Sequence, residues 1–232
     1  NESGLVCLAL PLPAEQPVYE DISGIFPPAN RMQRAMYDLL GIRAREGRDQ
    51  REWLRHASWH SGSFPLRKDF DAAQNLTAEL DNYPFVKVAG QGVHEIPVGP
   101  VHAGIIEPGH FRFSVIGERV LRLEQHLGYV HKGIEKRFES LTLQQGGKLA
   151  GRVSGDSTVA YAWAYAMAAE SIAALTPSPR ALLLRALLLE RERVANHLGD
   201  LGHLGNDGGL AFGLAQFMRL KEDVLRLNHR LF

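Results

Sequence analysis

Cysteine is almost absent: Cys7 is the only one in 232 residues. A single thiol cannot form an intrachain disulfide, and without a second thiolate neither iron–sulfur ligation nor a zinc ribbon is open to the chain. This scarcity fits a reducing compartment. Long apolar runs are missing as well. The stretch 181–189 is the longest candidate and is broken by Arg185, well short of the roughly 18 residues a membrane span needs. No signal-peptide pattern is visible. Neither charge sign is in excess, with 26 basic and 26 acidic residues and a formal net charge of +0, so nothing general points to nucleic acid. What remains is ordinary for a globular protein: 45% hydrophobic and 22% charged residues, enough to bury one or two cores. The first residue is Asn1, not Met, and a helical pattern runs almost to Phe232, so both ends are expected to be truncations of a longer polypeptide.

The pattern along the chain predicts an α+β protein. Residues 5–12 read as an apolar strand ended by Pro11 and Pro13. Residues 31–40 read as a short helix with Gly41 as its C-cap. Residues 43–70 show no clean period, and their anchors Trp53, Trp59 and Phe64 suggest an extended arm lying on a partner surface. Residues 71–95 read as a linker. A second domain is expected from about Ile96, with a β-hairpin over 111–123. Helices follow over 133–145, 156–174, 179–201 and 210–231. The third has Ser178 as N-cap, Pro179 at the first position and Gly202 as C-cap. Its leucine clusters, 182–184 and 187–189, make it apolar on most sides and central in a bundle.

The segment Arg152-Val153-Ser154-Gly155-Asp156-Ser157 carries serines at a spacing where a metal centre would place thiolates. A serine hydroxyl is not deprotonated near neutral pH and cannot replace a soft thiolate on nickel or iron. Ser and Asp are also preferred helix caps, and capping is the plain expectation for these residues. The pairs His126/His131 and His197/His203 lack the i, i+4 spacing of zinc-binding helices, so a structural role is expected. The glycine-rich stretch 199–213 follows no strand and has no P-loop lysine, so it does not read as a phosphate cradle.

Longer strings add a family resemblance. Phe26-Pro27-Pro28-Ala29-Asn30, Tyr37-Asp38-Leu39-Leu40-Gly41-Ile42 and Pro65-Leu66-Arg67-Lys68-Asp69-Phe70 resemble the end of the 30-kDa subunit of complex I, the respiratory NADH–quinone oxidoreductase. Pro97-Val98-Gly99-Pro100-Val101-His102, Glu107-Pro108-Gly109-His110-Phe111-Arg112 and His126 to Lys136 resemble the start of the large subunit of energy-converting (group 4, hydrogenase-3/4 type) [NiFe] hydrogenases. So does Arg191 with Asn196-His197-Leu198. That family is homologous to the 49-kDa subunit of complex I.

The resemblance implies a division into two parts. Residues 1–80 would be the end of a 30-kDa-type domain plus its arm. Residues 81–232 would be the N-terminal part of a hydrogenase large-subunit or 49-kDa-type domain, built from a β-hairpin and a mainly helical bundle. It implies that Ser154 and Ser157 stand where the family has two metal-binding cysteines, and Tyr161 where it has a histidine. No metal and no hydrogenase activity are therefore expected. In complex I the vacated cavity takes a quinone headgroup, so the candidate proton and quinone site is Glu107, His110, Tyr161 and Asp207, with His102 and Arg152 as binding residues. Glu107 matches a proton gate of the hydrogenases, and Asp207 matches the Asp that follows the Asn-His-Leu motif. Arg152 stands near the family's quinone-binding tyrosine. Quinone reduction needs two electrons and two protons, which suits donors such as His, Glu and Tyr. The chain itself is expected to carry no redox cofactor. Electrons would come from Fe–S clusters of partners: a small Fe–S protein like the one in complex I, and a ferredoxin-like protein. NAD would be bound elsewhere in the complex. Integral membrane subunits would hold the assembly peripherally on the cytoplasmic side of a prokaryotic inner membrane. The alternative function is a redox-inactive scaffold joining an Fe–S subunit to membrane subunits.

Overall fold

Local signals account for most element boundaries in the computed structural model, which describes residues 7–56, 60, 62–73, 82–103 and 106–231. The protein mixes helices with small sheets, as expected of an α+β chain. Helix α1 spans Ala29–Leu40 and stops at Gly41, whose φ of 74° is left-handed and whose N–H donates to the Tyr37 carbonyl. A Cβ at Gly41 would meet Phe64 Cε2 at 2.7 Å, so glycine is required there twice over. The apolar run expected to be a strand is not one over its described part, residues 7–12. Leu8 is 92% exposed, and no neighbouring strand among the described residues offers a ladder. Residues 5 and 6 lie outside the described residues.

Two strands in the first 45 residues were not anticipated. β1 (Val18–Glu20) and β2 (Arg43–Arg45) pair in parallel, with α1 as the crossover. The stretch read as an arm is fastened to α1. Trp53 is buried, with the guanidinium groups of Arg31 and Arg34 5.3 and 5.1 Å from its ring centroid. Phe64 packs edge-on against Tyr37 at 5.8 Å. Both anchors therefore face this chain's own helix rather than a partner; Trp59 lies outside the described residues. Asp38, 1% exposed, receives the backbone N–H groups of Trp53 and Leu54 at 2.7 Å and of Arg55 at 3.4 Å on Oδ2. Irregular buried backbone has no ladder of its own, and this carboxylate supplies the missing acceptor.

The expected hairpin is present as β4 (His110–Ile116) and β5 (Arg119–His126), turning at Gly117 with φ 55°. A further strand, β3 (His94–Val98), pairs antiparallel with β4. One face of this sheet carries Glu124, which accepts from Arg51 at 3.1 Å, from the Val86 N–H at 2.9 Å and from Arg122 at 2.8 and 3.0 Å. The other face carries the cross-strand row Ile96, Phe113, Leu123. The sheet is tied to the α1 region by two reciprocal bonds: His56 Nε2 to the Leu127 carbonyl at 2.8 Å, and His126 Nε2 to the Arg55 carbonyl at 3.4 Å. The two imidazoles stack at 4.3 Å. Contacts divide the chain into Asn1–Gly133 and Ile134–Phe232; the family division implied by the resemblance runs between residues 80 and 81.

The second unit is helical throughout. The helix expected over 133–145 is two: α2 (Ile134–Phe138) and α3 (Leu143–Ala150). Thr142 starts α3 with a capping box. Its hydroxyl accepts the Gln145 N–H at 3.3 Å, and the Gln145 amide oxygen accepts the Thr142 N–H at 3.0 Å. A 3-10 turn, Gly155–Ser157, leads into α4 (Thr158–Ile172). α5 begins as expected at Pro179, with the Ser178 hydroxyl accepting the Ala181 N–H at 3.3 Å. It does not end at Gly202 but continues to Asp207. Gly199, Gly202 and Gly205 form a smooth strip against α6 (Ala211–Leu231). A Cβ at Gly202 would come 3.3 Å from Met218 Sδ, and one at Gly205 would come 3.3 Å from the Leu214 backbone nitrogen. These glycines serve helix packing, not termination. Arg191 locks the far end of the pair by bonding Asn228 Oδ1 and, at 3.3 Å, the Val224 carbonyl. Arg185 pairs with Glu170 to join α4 and α5. The leucine clusters are not buried as expected: Leu183 is 72% exposed, and Leu182, Leu184 and Leu187 are exposed too.

Candidate functional site

The candidate residues fall on both units. In the first, His102 and His110 close the loop that precedes β4. His102 Nε2 bonds the Gly109 carbonyl at 2.8 Å, and His110 Nδ1 bonds the Gly99 carbonyl at 3.3 Å. A carbonyl only accepts, so each of those ring nitrogens carries its hydrogen. The Gly109 N–H returns a bond to the Pro100 carbonyl at 2.9 Å. Gly99 has φ 78°, and a Cβ there would collide with the Gly109 carbonyl at 2.2 Å. Both histidines thus hold loop backbone while leaving one ring nitrogen each for other work. Glu107 is exposed on this loop. His110 also meets the Phe85 ring edge-on at 5.3 Å.

In the second unit, Arg152 is an exposed turn residue, and Ser154 and Ser157 are half-buried. The capping expectation fails for both serines: they occupy the N-cap positions of the 3-10 turn and of α4, yet neither side chain makes a capping bond. Ser157 has φ −129° and ψ 35°, outside the extended geometry usual for a cap. The cap comes from α5. Glu192 accepts the Val159 N–H at 2.6 Å and the Ala160 N–H at 3.2 Å, one on each carboxylate oxygen. One helical turn further, the Asn196 amide donates to the Asp156 carbonyl. Tyr161 is 44% exposed on the first turn of α4. Asp207 is exposed in the last turn of α5 rather than in the turn its Asn-Asp-Gly-Gly setting suggests.

Ionisation is perturbed elsewhere. Burial opposes the charge on Glu124, but the Val86 N–H, Arg122 and Arg51 outweigh it and hold its pKa below the ordinary value. Asp49 is lowered for the same reason: burial resists, while hydrogen bonds from Arg51 and the charge of Arg34 prevail. Burial raises the Tyr83 phenol, whose oxygen accepts from Arg34 at 2.9 Å. These groups hold the first unit together.

Comparison with known proteins gives these positions a family. Residues 2–75 match the family described as respiratory-chain NADH dehydrogenase, 30 Kd subunit. The chain is 31% identical to formate hydrogenlyase subunit 5 of Escherichia coli, over 97% of this chain and 41% of that protein. It is 33% identical to hydrogenase-4 component G of the same species, over 84% and 36%. It is 29% identical to the fused C/D protein of NADH-quinone oxidoreductase from Phocaeicola vulgatus, over 91% and 44%. This chain is a homologue of energy-converting hydrogenase subunits and of fused complex I C/D proteins. It spans less than half the length of these relatives. Positions 154 and 157 of this chain carry hydroxyls, which do not replace soft thiolates on nickel or iron, and the chain's single thiol is Cys7.

Two residues of the homologue escaped sequence reasoning. Glu192 holds the Val159 and Ala160 N–H groups at the start of α4 and Asn196 holds Asp156 of the serine segment, although only Asn196 belongs to the motif used for the resemblance. Their spacing of one helical turn was the available signal. Among the described residues, no helix is long and apolar enough to cross a membrane.

Proposed function

We propose that this chain is part of a membrane-associated, complex I-like oxidoreductase subunit that lines a former nickel–iron cavity and supports proton-coupled electron transfer to a quinone. One observation carries the reading: similarity to a hydrogenlyase subunit runs over 97% of the chain, while serines stand at the positions the resemblance assigns to thiolates. A quinone takes up two electrons and two protons to become a quinol. The electrons come from an Fe–S cluster of a partner subunit. The resemblance points to Glu107, His110, Tyr161 and Asp207 as proton donors and to His102 and Arg152 as binding residues. The rest of the assembly comprises a small Fe–S subunit, a ferredoxin-like subunit and membrane subunits, on the cytoplasmic side of a prokaryotic inner membrane. The architecture is the end of a 30-kDa-type domain followed by the first part of a 49-kDa-type domain.

Titration of the intact complex with a benzoquinone-headgroup analogue tests this. Saturable binding is expected, weakened about tenfold or more by Glu107→Ala or Asp207→Ala. Elemental analysis is expected to find no nickel. Absence of analogue binding to the intact complex overturns the quinone reading, and nickel in stoichiometric amount overturns the vacated-cavity reading. The exposure of Tyr161 and the arginine at position 152 favour a second reading, a redox-inactive scaffold joining an Fe–S subunit to membrane subunits. In that case the complex assembles, binds no analogue, and is indifferent to both substitutions.

A further inference from the structure

We propose that Glu192 and Asn196 are positioning residues that set the serine turn from α5, leaving the Ser154 and Ser157 hydroxyls to a neutral, hydrogen-bonding ligand; the ligand part rests on the cavity reading above.

A helix begins with backbone N–H groups that lack intrahelical acceptors, and an N-cap side chain ordinarily satisfies one of them. At α4 the local candidate, Ser157, does not do so. The Glu192 carboxylate takes Val159 and Ala160 instead, at 2.6 and 3.2 Å. Such charge-assisted bonds are stronger than those of a neutral hydroxyl, and the positive end of the helix dipole favours the carboxylate further. Asn196 fixes Asp156 on the other side of Ser157. The two holding points therefore bracket Ser157. Both lie on the same face of α5, separated by one turn, and α5 is anchored to α6 by the buried Ala195, Gly199 and Gly202 and by Arg191. A rigid helix, rather than the turn's own side chains, dictates the turn.

This arrangement has a consequence for the ligand. A free helix N-terminus attracts phosphates and carboxylates. Here Glu192 already occupies that end with negative charge, so an anion would meet repulsion. A neutral carbonyl- or hydroxyl-bearing headgroup meets none, and the two serine hydroxyls supply both donors and acceptors.

The test uses the intact complex carrying Glu192→Ala, Glu192→Gln or Asn196→Ala. Amide hydrogen exchange is read at Val159 and Ala160, and binding is read with the same benzoquinone-headgroup analogue. Glu192→Ala is expected to speed exchange at both amides, and to weaken the analogue, by about tenfold or more. Glu192→Gln keeps one acceptor oxygen and is expected to fall between wild type and alanine in both readouts. That graded rescue is what a loss of folding would not give. Unchanged exchange in Glu192→Ala overturns the positioning role. Faster exchange with unchanged analogue affinity overturns the link to the ligand. If wild type binds no analogue, the quinone reading falls, and the exchange measurement alone decides the positioning role.

Discussion

The two units of this chain solve the same problem by opposite means. Among its described residues the first contains short strands, helix α1 and long irregular stretches, so much of its buried backbone lacks regular partners. Charged side chains supply them: Asp38 serves residues 53–55, Arg34 donates to the Arg51 and Glu52 carbonyls at 2.6 and 2.9 Å, and Glu124 takes the Val86 N–H. The second unit is made of helices whose interior backbone groups satisfy one another, with the start of α4 capped from α5, and it depends on close approach along a glycine strip and on two arginine links. Irregular structure thus demands buried polar groups with fixed partners, whereas helical structure demands small residues where helices touch.

Breaking the first mode should give the largest effect. Asp38→Ala leaves two buried N–H groups and one half-buried one without their acceptor and is expected to destabilise the first unit by about 3 kcal/mol or more. Denaturant unfolding monitored by amide exchange in each unit should show the loss in residues 7–133, with α4 to α6 little changed. Next comes overpacking of the glycine strip. Gly205→Val drives side-chain atoms against the Leu214 backbone and is expected to cost about 1–3 kcal/mol, read in the second unit. Gly199→Ala is its control. The nearest atom there is the mobile Lys221 Nζ, so improved helix propensity should win by up to about 1 kcal/mol. Thr142→Ala removes the capping box and should cost about 1 kcal/mol, with faster exchange at Gln145.

Acid sharpens the comparison without a mutation. Glu124 and Asp49 have lowered pKa values in the folded state. Their contribution is fully present above the unfolded-state carboxylate range and is lost as pH falls through the lowered folded-state values. The first unit is therefore expected to lose exchange protection below the ordinary carboxylate range. Arg51→Lys, which gives up the forked contact to Asp49 and Glu124, should move that loss to higher pH.

Punctuation and periodicity made parts of the fold legible: Gly41 ending α1, Ser178-Pro179 starting α5, and the alternation that forms the β4–β5 hairpin. These signals act within a few residues of the structure they specify. The parallel pairing of β1 with β2 was not legible, because a three-residue strand acquires its meaning from a partner more than twenty residues away. Gly202 was misread for a related reason. Glycine ends a helix or admits a neighbour, and only the presence of α6 chooses between them.

The candidate site divides in the same way. Residue type by itself determined that positions 154 and 157 cannot furnish thiolates and that Cys7 cannot replace them, since this depends on the chemistry of a hydroxyl and on a count of one. It also determined the family, through strings spread along the chain. Tertiary structure decided what those serines do locally. Capping is a competition for a few N–H groups, and a carboxylate delivered from another helix outcompetes a nearby hydroxyl whose backbone is in the wrong conformation. No local reading could foresee that, because the winning acceptor, Glu192, stands 33 residues away in the sequence from the amide it binds.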